Sequence, residues 1–148
     1  MRRISGDNVR AGHCYEFAAL WALGRLLDTP RDREAAMVAM SYGDWNKTVR
    51  LVHGFPRLCG DSSGAGSLFG HAWIEFGRLV YDPVTEALIT RNVYYEKGRI
   101  MKEHVTRFSV AQIQEKIATW TVWGPWDDIP LPEMPLWSQP ELGGNNVS

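Results

Sequence analysis

The chain has 148 residues, 45% hydrophobic and 22% charged, with a formal net charge of −1. That length and apolar content suit one domain with its own core rather than a disordered chain. Near-neutral charge argues against a protein that neutralises many nucleic-acid phosphates, and no apolar run approaches the roughly 18 residues of a membrane-spanning helix. Residues 1–7 are basic but lack the apolar stretch of a secretory signal, and the two cysteines, Cys14 and Cys59, form no Cys-x-x-Cys pair. A reduced, cytoplasmic setting is therefore expected, in which each cysteine is either a buried apolar side chain or a reactive thiol.

In chain order, the first predicted element is a helix from about Cys14 to Asp28, apolar around most of its circumference and so expected at the centre of the fold. Thr29-Pro30 ends it and opens a second helix over about Arg31–Met40, with Thr29 as N-cap and Pro30 at the first helical position. A β-branched stretch, Thr48–Gly54, predicts a strand. A Gly/Ser loop, Gly60–Gly70, leads into a strand over His71–Phe76, and Gly77-Arg78 is a two-residue hairpin connection to a returning strand, Leu79–Tyr81. Asp82-Pro83 closes the hairpin. Another strand or two are expected between Ala87 and Ile100. Ser109 with Gln112 forms a capping box for a last helix, to about Ala118. Helices followed by a mainly antiparallel sheet give an α+β fold.

The end of the chain differs in composition. All 16 Lys and Arg precede Gly124, whereas Asp127, Asp128, Glu133 and Glu141 follow it together with five of the eight prolines. Residues 1–126 are thus expected to form a single catalytic domain, and residues 127–148 an acidic, Pro/Trp-rich tail that docks a partner or covers the groove.

Three residues suggest chemistry. Cys14 stands at a helix N-terminus, His71 begins a strand, and Asp82 ends its hairpin partner. A two-residue turn at Gly77-Arg78 pairs Phe76 with Leu79, which puts Asp82 opposite Trp73 and diagonal to His71 on the same face. Aspartate can there orient the imidazole and stabilise its charged form. The helix N-terminus and an imidazolium both favour the thiolate form of Cys14, so nucleophile, base and orienter are all present. Taken singly, each has a plainer explanation: a cysteine packed in a buried helix, a histidine capping a strand, an Asp-Pro turn. Their joint occurrence favours the triad.

Gly12-His-Cys-Tyr-Glu-Phe-Ala18, His71-Ala-Trp-Ile-Glu75 and Val80-Tyr-Asp-Pro83 resemble the three core motifs of transglutaminase-like and papain-like cysteine enzymes. The resemblance covers about residues 8–83, with the motifs in the family's order; residues 84–148 carry no part of it. It implies a helix packed on an antiparallel sheet, with Cys14 as nucleophile, His71 as general base and then acid, and Asp82 as orienter. The expected reaction is cleavage of a peptide, isopeptide or side-chain amide through a thioester acyl-enzyme, with a protein or peptide as substrate and no cofactor or metal. Acyl transfer to an amine and glutamine deamidation use the same triad. A binding or inhibitor protein that kept the fold without the chemistry is the alternative from another class. The developing oxyanion needs donors. The Cys14 N–H is one, and the Asn8 side chain is a candidate second, although Asp7-Asn8 also reads as a plain turn. Trp21, Trp45 and Trp73 are expected to fill the core, and Trp73 is also a candidate wall of the substrate groove.

Two rivals are weaker. Gly60-Asp-Ser-Ser-Gly64 matches a serine-hydrolase elbow, but no helix follows it and His71 precedes Asp82. Cys59 with His53 flanks a turn at Pro56 and reads better as buried packing.

Overall fold

A computed structural model describes residue 10 and residues 12–57 and 69–126 of the chain. Asn8, Cys59, most of the Gly60–Gly70 loop and the 127–148 tail lie outside the described residues.

Helix α1 (Cys14–Ala22) buries Ala18, Ala19, Trp21 and Ala22. It is shorter than its sequence suggested: Gly24 turns to φ +78° and its N–H bonds Trp21 O, which closes the helix before Leu26. Thr29 caps α2 (Pro30–Met40), accepting from the Asp32 N–H while the Asp32 carboxylate accepts from the Thr29 N–H. A single turn, α3 (Trp45–Thr48), starts on the Asp44 side chain and removes Thr48 from the predicted strand, so β1 runs Arg50–Gly54.

The hairpin of β2 (His71–Phe76) and β3 (Leu79–Asp82) has the expected register, with Phe76 opposite Leu79 and Ile74 opposite Tyr81. Gly77 supplies the positive φ, +59°, that its turn needs. One strand, β4 (Ala87–Thr90), follows, and then helix α4 (Arg91–Gly98) rather than a second strand. The strand-prone Val93-Tyr94-Tyr95 run is helical because Tyr95 is buried against the sheet face formed by Val52, Trp73 and Val80. After a short 3-10 turn at Lys102–His104 come β5 (Thr106–Phe108) and α5 (Val110–Trp120), the latter opened by the expected Ser109–Gln112 capping box.

The five strands lie in the order β4-β3-β2-β1-β5, every neighbouring pair antiparallel. The protein is therefore α+β. Strand alternation divides the core. Ala72, Ile74 and Phe76 face the apolar sides of α1, α2 and α5, around Trp21 and Ile113. Trp73 faces the other way, toward α4 and Ile100. Among the described residues no helix is long and apolar enough to cross a membrane.

Candidate active site

His71 and Asp82 meet at the end of the hairpin. His71 Nε2 donates to Asp82 Oδ2 at 2.9 Å, since an ionised carboxylate can only accept. The other oxygen, Oδ1, accepts from the Val84 N–H at 3.0 Å, a turn that the Asp-Pro sequence favours and that fixes the plane of the carboxylate. Asp82 is buried and the His71 side chain is 13% exposed, so their interaction is only weakly screened by water.

Cys14 is the first helical residue of α1, half-buried, and near enough to the His71 ring to help raise its pKa. Because Asp82 occupies Nε2, the nitrogen left for the thiol is Nδ1. As first residue of the helix, Cys14 has a backbone N–H with no intrahelical acceptor. Arg10 anchors the approach to α1. Its guanidinium bonds both oxygens of Asp32 at 2.9 and 2.7 Å and also donates to Pro83 O at 2.9 Å. Tyr81 adds a hydroxyl donor to Asp32 at 2.6 Å. One buried ion pair thus ties the segment before Cys14 to α2 and to the turn after Asp82.

The electrostatics of the site are dominated by the pair. Burial opposes a charged His71 ring, but the hydrogen bonds and charges of Asp82 and Cys14 outweigh it and raise the His71 pKa to about 9. Burial likewise works against the charged Asp82 carboxylate. The His71 hydrogen bond and charge, helped by Tyr94 and the Val84 N–H, overcome it and hold the carboxyl below its usual range.

Tyr94 is a site residue the sequence did not reveal. It projects from α4, and its hydroxyl donates to Asp82 Oδ2 at 2.7 Å, the same oxygen that receives His71. Burial and the Asp82 charge keep that phenol protonated. The expectation for Trp73 is corrected: its side chain has no exposed surface and so cannot wall a groove. It lies under the site instead, with its indole N–H on Glu75 Oε2 at 3.1 Å, and Glu75 in turn is held by Tyr95 and Arg107. The exposed aromatic ring beside the imidazole is Phe69, 39% exposed and 5.8 Å from His71 between ring centroids. A cleft of about 340 Å³ opens at the α1 N-terminus, between Gly12, His13, Tyr15 and Glu16 on one side and residues 121–124 on the other.

Among the described residues no group of three or more His, Cys, Asp or Glu side chains is arranged to hold a metal ion. The chain matches no family model, no curated protein and no solved structure.

Proposed function

We propose that the protein is a cysteine-dependent hydrolase that cleaves an amide bond in a protein or peptide, on a transglutaminase-like or papain-like core, in a reducing cytoplasmic setting. The observation that carries this reading is the placement of Cys14, His71 and Asp82: a thiol at a helix N-terminus beside an imidazole whose Nε2 rests on a buried carboxylate at 2.9 Å. In this reading His71, oriented by Asp82, takes the proton of the Cys14 thiol. The sulfur attacks the carbonyl carbon, and the Cys14 N–H at the positive end of α1 faces the developing oxyanion. The protonated His71 then gives its proton to the departing nitrogen, and water, deprotonated by the same ring, releases the acyl group.

Treatment with p-nitrophenyl acetate, followed by peptide mass spectrometry, tests the reading. The expected product is an acetyl thioester on Cys14 that decays in water and that neither Cys14→Ala nor His71→Ala forms. Acetylation absent from Cys14, or equally fast in His71→Ala, overturns it.

A further inference from the structure

The residue after the proposed nucleophile carries a hydroxyl that the described residues leave without a hydrogen-bond partner. The Tyr15 ring is held edge-on to His53, 4.8 Å between centroids and 81° between planes. Its Cδ1 lies against Gly124, where an added Cβ would come within 3.1 Å. Its hydroxyl reaches the residue before His71, standing 2.5 Å from where a Cβ on Gly70 would lie. Glycine at 70 and at 124 is what leaves room for the tyrosine in this position. Tyr15 is half-buried and lines the cleft at the α1 N-terminus, and its hydroxyl makes no hydrogen bond among the described residues.

An ordered donor without a hydrogen-bond partner among the described residues, on the residue next to the proposed nucleophile and against the residue before His71, is suited to a hydrogen bond that the substrate brings. Burial, and then the charge of Cys14, push the Tyr15 pKa upward, so the group remains a neutral donor at working pH. A phenol fixed by ring packing also needs no reorganisation as charge develops in front of it. We propose that the Tyr15 hydroxyl is a catalytic donor of the oxyanion hole, acting with the Cys14 backbone N–H on the substrate's carbonyl oxygen. This assignment rests on the reading of Cys14 as the acyl-forming nucleophile, and it gives Tyr15 the role that the sequence suggested for Asn8.

The step balances simply. The sulfur–carbon bond forms as the carbonyl π pair moves onto oxygen, and Tyr15 donates a hydrogen bond to that oxygen while keeping its proton. When the carbonyl re-forms, the carbon–nitrogen bond breaks and the leaving nitrogen takes its proton from His71.

Two reactions of the same sulfur isolate this role. p-Nitrophenyl acetate acylates Cys14 through an oxyanion, whereas iodoacetamide alkylates it by displacement at a saturated carbon, where no oxyanion forms. In Tyr15→Phe, which keeps the ring and its packing, acylation should fall about 100-fold, the scale of losing one oxyanion donor, with alkylation unchanged. Gly70→Ala, which sets a methyl group against the hydroxyl, should reproduce the selective loss at an unaltered circular-dichroism spectrum. Unchanged acylation in Tyr15→Phe, or acylation and alkylation falling by the same factor, overturns the assignment. A wild-type Cys14 inert to both reagents overturns the nucleophile reading itself, a failure distinct from loss of the donor role alone.

Discussion

Replacing Asp82 by Asn removes a charge while keeping the shape of the side chain, and its effect follows from the titration of His71. The ring binds its proton with a pKa of about 9 in the folded protein against 6.5 for an unperturbed histidine, a difference worth about 3 kcal/mol. The lowered pKa of Asp82 is the other side of the same interaction and is not counted again. Because the folded-state value is the raised one, this contribution is complete below about pH 6.5 and disappears as pH rises through about 9. In Asp82→Asn the burial of the ring remains, opposed only by Cys14, so the His71 midpoint should fall to about 7 or below. Urea unfolding should show the variant about 2–3 kcal/mol less stable at mildly acidic pH, with the gap closing as pH rises through 9. Nuclear magnetic resonance titration of the His71 Cε1–H signal reads the midpoint directly. A wild-type midpoint near 6.5, or the same midpoint in both proteins, would refute the reasoning.

Tyr94→Phe deletes a hydrogen bond to an ionised, buried carboxylate and should cost about 1.5–3 kcal/mol in urea unfolding; no change would mean that α4 contributes nothing to Asp82. Asp32→Asn leaves the Arg10 guanidinium buried without its carboxylate partner, and a loss of about 3–5 kcal/mol is expected by calorimetry. Burial alone would raise the Asp32 pKa, but hydrogen bonds from Arg10 and Tyr81 lower it, so wild type should lose its advantage as pH falls below about 4. Ile113→Ala empties a fully buried position under α5 and should cost about 2–5 kcal/mol, read by the urea midpoint.

What could be read from the sequence was whatever local chemistry specifies. The Thr29-Pro30 and Ser109 helix starts and the β2–β3 register depend on side chains within a few positions of one another, and all three are as expected. The register alone brings His71 and Asp82 to the same end of the hairpin, where they meet at 2.9 Å. Elements decided by tertiary contact were misread or missed. Helix α4 carries strand-prone residues and is helical because its tyrosines dock on the sheet, with Tyr94 on Asp82 and Tyr95 on Glu75. Strand β5 is three residues long and exists through its pairing with β1. Tyr94 and Arg10 left no motif, since each acts on a partner far along the chain. Trp73 is a core residue, as its bulk suggested, and its second expected role, as a groove wall, is not met because it is buried on the face that α4 covers.

The central claim is that His71, held by Asp82, activates Cys14. The most direct test is the rate of Cys14 alkylation by limiting iodoacetamide across neutral pH, read by peptide mass spectrometry in the wild type and in His71→Ala. The account predicts fast labelling of Cys14 that persists below pH 7 and collapses in His71→Ala. Slow labelling that rises only above pH 8 and is the same in both proteins would contradict it and leave Cys14 a packing residue of α1.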